Sequence, residues 1–290
     1  EIDAIVNNPK KPSFVNTIVA LERQGELLGR VSGLFFNILE ADATDEMQEI
    51  AQRVQPKLTQ LSNDISLNPE LFARVKAVYE HPGWCLSSED KKLLEDTYKS
   101  FARSGAALSE ADKELYRQYT TELSALTLQF GQNSLAATNA FTLNIIDPAR
   151  VAELPTFVKE TLAADAKARG QKGWTVTLQA PSYIPFLTYS SDRALKEQLW
   201  RASNSRALGG AYDNTEVIRK IVDTRLKIAN LLGYKNYADY VLENRMAENT
   251  PTVQNFLQEL LTATKSHADA DYKRVNDYAA SLGFEGALMP

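Results

Sequence analysis

The sequence contains few of the residues that form disulfides or bind metals. Its 290 residues include one cysteine, Cys85, and two histidines, His81 and His267. A single cysteine excludes an internal disulfide. Cys85 is predicted to be a small packing side chain, because neither histidine forms a recognisable catalytic motif with it.

Long apolar runs are also absent. No run of eighteen apolar residues occurs, so the sequence predicts no membrane span. The first residues lack the basic start and the apolar middle of a signal peptide. The protein is therefore expected to be soluble, and the sequence leaves open whether it is cytoplasmic or periplasmic.

The charge balance argues against nucleic acid as a partner. Lysine and arginine total 32, aspartate and glutamate total 37, and the formal net charge is −5. The basic residues are scattered along the chain, whereas a nucleic-acid-binding surface needs a cluster of them. The hydrophobic share of 44% is ordinary for a globular protein.

The pattern of residues 1–140 is helical and predicts a series of helical hairpins. Gly25, Gly29 and Gly33 recur in the first long helix, where they predict tight packing or local bending. An antiparallel hairpin of the last two helices is expected around Gly105. Apolar spacing and capping residues place the predicted helices at 16–40, 44–65, 68–81, 87–103 and 109–138.

The period changes after residue 140. Alternating apolar residues at 141–145 and 174–178 predict two strands that form a small ribbon over 141–180, bridged by a helix from Thr156 to Arg169. Pro181 and Pro185 then predict an extended connector. Residues 181–290 are otherwise helical, with Ser191 as a predicted N-cap and a helix of about thirty residues starting at Thr250-Pro251. The fold class is thus mainly α, with one two-stranded β ribbon.

Several phrases of the sequence resemble one family in the same order. They are PSFVNTIVALERQGELLGRV (12–31), LNPELFARVKAVYE (67–80), WTVTLQAPSYIPFLTYSSDRALKEQLWRAS (174–203) and RLKIANLLGYKNYADYVLENRMA (225–247). They are similar to the thimet oligopeptidase family of zinc metallopeptidases, which includes oligopeptidase A and the peptidyl-dipeptidases, and most closely to the bacterial peptidyl-dipeptidases. The resemblance implies one multi-helical lobe of a bilobed enzyme whose deep channel admits short peptides.

The family's zinc motif, His-Glu-x-x-His, does not occur in this sequence. The resemblance therefore implies that residues 1–290 are an N-terminal, non-catalytic portion, inactive alone, with no catalytic, cofactor-binding or metal residues. Zinc and the glutamate-activated water of the complete enzyme would belong to a C-terminal catalytic region of the same chain. His81 is expected at the surface, and His267 is expected to pack, since nearby Asp269 and Asp271 diverge on a helix.

Four residues are candidates for the wall of a substrate channel by analogy. They are Tyr183, Arg201, Arg206 and Arg245, where arginine would suit a peptide carboxylate. The competing interpretation is that these arginines make interhelical ion pairs or caps. An alternative function also stays open, namely a stand-alone helical module that binds proteins or peptides without catalysis.

Overall fold

The computed structural model describes residues 1–83, 86–286 and 288. Cys85, with its predicted packing role, lies outside these residues. The helices, in chain order, are α1 (Ile2–Val6), α2 (Ala20–Glu22), α3 (Glu26–Ala41), α4 (Asp45–Ser66), α5 (Pro69–Glu80), α6 (Ser88–Arg103), α7 (Glu110–Ala140), α8 (Thr156–Ala168), α9 (Ala180–Tyr189), α10 (Arg193–Asn204), α11 (Thr215–Leu231), α12 (Tyr237–Leu242) and α13 (Thr250–Ser281). The strands are β1 (Thr142–Ile145) and β2 (Trp174–Thr177). The prediction of a mainly α protein with one small ribbon is confirmed.

The chain divides into two compact units, Glu1–Ile228 and Ala229–Pro290. The first unit contains the ribbon and two large apolar clusters. The second contains the end of α11 and the helices α12 and α13. The sequence-based division at residues 140 and 180 stays a prediction.

Capping residues begin several helices of the first unit where the sequence predicted them. Thr44 Oγ1 accepts from the backbone N–H of Met47 at 3.2 Å, and Asn68 Oδ1 accepts from that of Leu71 at 2.9 Å. Ser87 forms a capping box with Asp90. Because these bonds satisfy amides that have no partner inside the helix, they define the start of each helix locally.

The helix α7 packs mainly against α4, which corrects the predicted hairpin of α6 with α7. Three side-chain hydrogen bonds join the two helices. Gln52 pairs with Gln132 at 2.8 Å and Asn63 with Thr120 at 2.8 Å. Asp64 pairs with Arg117 at 2.7 Å. The numbers rise on α4 as they fall on α7, so the pair is antiparallel. The helix α6 packs on α5 instead, because Leu94 and Phe101 share an apolar cluster with α5 residues.

The first long helix predicted from the sequence is interrupted at Gly25. Residues Phe14–Val19 form a π-helical segment, α2 follows, and Gly25 has φ of 71° before α3 begins. Glycine adopts this left-handed conformation without the steric cost that a Cβ would add. The predicted local bending is thus confirmed at Gly25. Tight packing is wrong for Gly29 and Gly33, because a Cβ at either position would meet no atom within 4 Å.

The ribbon of β1 and β2 is antiparallel, with Thr142 opposite Thr177 and Ile145 opposite Trp174. One face of the ribbon packs against α8, α9 and α10. The buried residues of this cluster are Leu143, Ile145, Val151, Leu154, Val158, Leu162, Val176, Leu178, Phe186, Leu195 and Leu199. The predicted ribbon and its bridging helix are confirmed.

The expected extended connector at Pro181 to Pro185 is wrong, since these residues lie in α9. Pro181 sits in the first turn, where a missing N–H costs no helical hydrogen bond. Pro185 lies inside the helix and removes one bond. Phe186 beside it is fully buried, and the Ser182 hydroxyl accepts from the N–H of Thr177 at 3.0 Å. Burial and this bond outweigh the local preference of the prolines.

The helix α10 is capped by Asp192 and not by Ser191 as predicted. Asp192 Oδ1 accepts from the N–H of Leu195 at 3.0 Å, and Arg150 Nη2 lies 2.6 Å from Asp192 Oδ2. Ser191 instead donates its N–H and its hydroxyl to Glu153, each at 2.6 Å. The cap is thus one residue later than expected, because Glu153 from another segment holds Ser191.

Asp192→Ala should lower the free energy of unfolding by about 1 kcal/mol at pH 7, the usual cost of a lost N-cap. The N–H of Leu195 and, secondarily, Arg150 hold the pKa of Asp192 below its ordinary value of 3.8. The stabilisation is therefore complete well above pH 3.8 and is lost as the pH falls through the lower folded-state pKa. Urea titrations of parent and variant at pH 7 and pH 3 measure the difference. A difference that grows toward acid pH would contradict this prediction.

Glycine and asparagine residues mark the ends of the helices in the second unit. Gly233, with φ of 86°, follows the end of α11 as predicted. Asn236 caps α12 through the N–H of Asp239, and Asn249 caps α13 through that of Thr252. The described residues of α13 include none that is buried, so His267 is exposed and its predicted packing is wrong.

Candidate functional site

The predicted channel arginines of the first unit make bonds within the helical framework. Arg201 Nε donates to Glu197 Oε1 at 2.8 Å on the surface of α10. Arg206 Nε donates to the carbonyl of Ser203 at 3.0 Å, and its Nη1 donates to the hydroxyl of Thr138 at 3.2 Å. Thr138 belongs to α7, so Arg206 links two segments through a hydrogen bond to a neutral hydroxyl.

The other two candidates differ in their surroundings. Tyr183 is half-buried on α9, where it packs against the apolar cluster of the ribbon. Arg245 is exposed between α12 and α13, in the second unit, and its N–H donates to the carbonyl of Leu242. None of the four residues lines either of the clefts described next, so their assignment to a channel wall stays a prediction.

A cleft of about 590 Å³ lies between α3, α4 and α7. Its volume is within the usual range of small-ligand pockets. The side chains around it are apolar on the α3 side and mixed on the α7 side. They are Phe36, Leu39, Glu40, Ala43, Gln48, Gln55, Ser124, Thr127, Leu128, Gly131, Gln132 and Leu135. We call it the α3 cleft.

The polar wall of the α3 cleft is held in position by bonds between α4 and α7. Gln132 Oε1 accepts from Gln52 at 2.8 Å, and its amide nitrogen lies 3.5 Å from the carbonyl of Gln48. The Ser124 hydroxyl accepts from Gln55 at 3.3 Å and from Thr59 at 2.9 Å. These bonds restrict the side chains, so the polar groups of the cleft are preorganised.

One carboxylate, Glu40, lines the α3 cleft, and it belongs to an acidic segment of the sequence. The ten residues 40–49 contain no basic side chain. They contain five carboxylates, Glu40, Asp42, Asp45, Glu46 and Glu49. Glu40 lines the cleft, and the others lie within a few residues of its lining residues Ala43 and Gln48. Among the residues that the structure describes, no ion pair involves these five carboxylates.

A second cleft, of about 730 Å³, lies at the start of α3. Glu1, Leu28, Val31, Leu61 and Asp64 are among its lining residues. The side-chain carboxylate of Glu1 accepts from the N–H of Gly25 at 2.7 Å, which holds Glu1 at the turn before α3. Glu1 therefore borders this cleft on one side.

An exposed apolar stripe runs along α3, and two of its residues, Leu27 and Val31, line the second cleft. Leu27, Val31, Leu34 and Ile38 are 73%, 59%, 65% and 43% exposed, and their spacing places them on one helix face. Neither cleft was predicted from the sequence. Two signals were present, the continuous apolar face of residues 27–39 and the acidic run 40–49, but neither shows which helices pack beside α3.

No zinc site is formed by the residues described, because no three His, Cys, Asp or Glu side chains among them cluster so as to hold a metal ion. Asp269 pairs with Lys265 at 2.7 Å and Asp271 with Arg274 at 2.9 Å, in agreement with their predicted divergence. His81 is exposed at the end of α5, as predicted. The residues at hand therefore do not fit the family's metal.

Two carboxylates with lowered pKa values, Glu153 and Asp213, have a structural role. Ser191 holds the pKa of Glu153 below its ordinary value, and the hydroxyl of Thr215 with nearby backbone N–H groups does the same for Asp213. Both carboxylates accept hydrogen bonds at helix starts or turns, which favours the ionised form. They stabilise local structure and are not paired as an acid and a base.

In residues 1–83 and 86–286, no helix combines the length and the apolar character that crossing a membrane requires.

Comparisons with known proteins agree with the phrases in the sequence. Residues 186–290 match the family model for Peptidase family M3. The chain is 37% identical to the dipeptidyl carboxypeptidase of Escherichia coli over 274 residues, 92% of this chain and 40% of that protein. It is 28% identical to oligopeptidase A of Salmonella typhimurium, over 98% of this chain and 43% of the relative.

A plant relative matches this chain with similar identity and coverage. The probable cytosolic oligopeptidase A of Arabidopsis thaliana is 30% identical over 94% of this chain and 40% of the relative. The chain thus spans about two fifths of the length of the curated relatives it matches. The resemblance predicted from the sequence is confirmed, and the chain is a relative of the peptidases of family M3.

Proposed function

We propose that this chain is the N-terminal, non-catalytic portion of a zinc metallopeptidase that hydrolyses short peptides. The alignment carries the proposal, since 92% of the chain matches a dipeptidyl carboxypeptidase but covers only 40% of it. The same matches do not favour a stand-alone binding module. In this proposal, zinc and its ligands belong to a catalytic region of the same protein outside residues 1–290.

The role of these residues is that of scaffold and channel wall. The antiparallel α4/α7 pair and the buried ribbon cluster supply rigid walls, and a rigid wall can limit a channel to short, unfolded peptides. The zinc ion would polarise the peptide carbonyl and lower the pKa of its bound water. The residues described here contribute shape, charge and position to the channel and take no part in the chemical step.

Peptide hydrolysis by the chain, by itself and within the longer protein, tests the proposal. The 290-residue chain, incubated with zinc and an internally quenched peptide, should give no hydrolysis above buffer and no stoichiometric zinc by elemental analysis. The longer protein should bind zinc and cleave the same peptide, and a chelator should abolish the cleavage. Zinc-dependent turnover by the 290-residue chain would contradict the proposal, as would an inactive, zinc-free longer protein.

The cellular compartment of the longer protein and the peptides it releases can each be determined by one experiment. The chain would work in the cytoplasm or the periplasm, and fractionation of cells that express the longer protein distinguishes the two. Mass spectrometry of a digested decapeptide distinguishes removal of C-terminal dipeptides from internal cleavage.

Arg206→Ala should lower the free energy of unfolding by about 1 kcal/mol, because it removes two hydrogen bonds that join residue 206 to Thr138 and Ser203. Arg201→Ala is the matched control, because its bond to Glu197 lies on the surface, where such pairs contribute little. Urea denaturation of the chain measures both. If Arg206 also contacts peptide, KM of the longer enzyme rises in Arg206→Ala, and an unchanged KM removes it from the channel wall.

A further inference from the structure

Two tyrosines of neighbouring helices lie stacked at the surface of the first unit. Tyr79 is on α5 and Tyr98 is on α6, and their ring centroids are 4.0 Å apart with an angle of 5° between the ring planes. Among the ring pairs of the described residues, the next shortest centroid distance is 5.1 Å. The faces of the two phenol rings are therefore in direct van der Waals contact.

The stack is held in position from its inner side. Phe72 lies 6.0 Å from Tyr98 and 6.3 Å from Phe101, in both cases with the rings nearly parallel. Phe101 is buried, and both Phe72 and Tyr98 pack against the apolar cluster to which Phe101 belongs. These contacts restrict the Tyr98 ring, whereas the Tyr79 ring lies at the exposed end of the stack.

The phenol hydroxyls are not needed for this contact. Within residues 1–83 and 86–286, neither hydroxyl makes a hydrogen bond to the protein. Tyr79 is 38% exposed and Tyr98 is half-buried, so a small molecule in solution can reach the Tyr79 ring directly. Phenylalanine at either position would preserve the stack, so packing alone does not explain why both residues are tyrosine.

We propose that Tyr79 and Tyr98 form a site of oxidative cross-linking, at which two equivalents of a one-electron oxidant join the rings as a dityrosine. Each phenol loses one electron to the oxidant and its O–H proton to water, which leaves two tyrosyl radicals. The radicals combine through one carbon of each ring, ortho to the hydroxyl. The hydrogen on each of these carbons then moves to the ring oxygen as a proton, which restores both phenols. One C–C bond forms, and the chain loses two electrons and two protons.

Ring geometry favours this pair over the neighbouring tyrosines of the second unit. The rings of Tyr234 and Tyr240 are inclined by 67°, and those of Tyr237 and Tyr240 by 49° with centroids 5.8 Å apart. In a parallel stack the ortho carbons of one ring lie close to the other ring, which raises the effective concentration of the second radical. Tyr79 is the second-last residue of α5, so its ring can turn as the new bond forms. The site does not depend on the proposed peptidase function.

The test oxidises the 290-residue chain with photogenerated tris(bipyridine)ruthenium(III), with persulfate as the final electron acceptor. Trypsin then releases the two tyrosines on separate peptides, 77–91 and 93–99. Mass spectrometry should find these peptides joined, with the sum of their masses less two hydrogen atoms, in about tenfold excess over any other tyrosine–tyrosine product. Because peptide 77–91 also contains Trp84 and Cys85, fragmentation of the joined peptides locates the bond.

Tyr79→Phe and Tyr98→Phe should each abolish the joined peptides and leave the melting temperature unchanged, because the stacked ring is retained. Tyr189→Phe is the matched control, since Tyr189 is 47% exposed and its ring neighbour is Phe157. It should leave the yield unchanged. Oxidation should also raise the urea midpoint of the parent chain, because the new bond restricts the unfolded chain between residues 79 and 98. No such rise is expected in Tyr98→Phe.

Three results would overturn the proposal. The first is the absence of the joined peptides after an oxidation that modifies Tyr189. The second is a yield that rises with protein concentration, which would show that the bond forms between two copies of the chain. The third is an unchanged yield in Tyr98→Phe. Hydrolysis by the longer protein tests the proposed function separately, so either can fail without the other.

Discussion

Gly173→Ala should lower the free energy of unfolding by about 3 kcal/mol or more, because it combines backbone strain with a steric clash. Gly173 has φ of +83°, and a Cβ there would lie 2.2 Å from the carbonyl oxygen of Ile145. Ile145 is the last residue of β1 and is buried, so the strand cannot move aside without opening the apolar cluster. Urea denaturation followed by circular dichroism measures the loss.

Gly170→Ala is the control for this prediction. Gly170 also has positive φ, +67°, but a Cβ there would meet no atom within 4 Å. It therefore reports the backbone strain alone, about 1 kcal/mol. Equal losses for the two variants would show that the close approach to Ile145 has no energetic role.

Phe186→Ala should lower the free energy of unfolding by about 3 to 5 kcal/mol, the usual cost of truncating a buried phenylalanine. Phe186 is 0% exposed and lies in the cluster that the ribbon shares with α8, α9 and α10. The loss includes the transfer of the ring to water and the cavity that remains. Urea denaturation, with the melting temperature as a second measure, tests it.

Phe157→Ala is the matched control, because Phe157 is 56% exposed on α8, the helix that packs on the ribbon. Phe157→Ala should change the free energy of unfolding only slightly, since most of the Phe157 ring already contacts water in the folded chain. A loss for Phe157→Ala as large as that for Phe186→Ala would contradict the assignment of the core to this cluster.

Phe186 also explains why a segment with two prolines is helical. Local preference predicts extended backbone at residues 184 and 180, each of which precedes a proline. Burial of Phe186 and the bond from the N–H of Thr177 to Ser182 are contacts distant in sequence. No local rule includes them, so the connector was predicted wrongly for a physical reason.

The candidate site was less accessible to sequence-based prediction than the fold. The arginines at 201 and 206 were singled out by analogy, yet the structure pairs Arg201 with Glu197 and Arg206 with Thr138. The α3 cleft depends on α7 lying beside α4, which are separated in the chain by α5 and α6. No sequence pattern shared by its lining residues indicates that they lie together until the pairing of α4 with α7 is known.

The sequence by itself determined which segments are helical and where most of them begin, because capping by residues such as Thr44, Asn68 and Ser87 involves only neighbouring backbone. It also determined the ribbon, whose alternating period is local, and the family, whose phrases can be compared directly. Only the tertiary structure decided that α7 pairs with α4, that the prolines of α9 are accommodated, and that a cleft opens beside α3. These depend on burial between distant segments, whose free energy exceeds local preference and is absent from any short stretch of sequence.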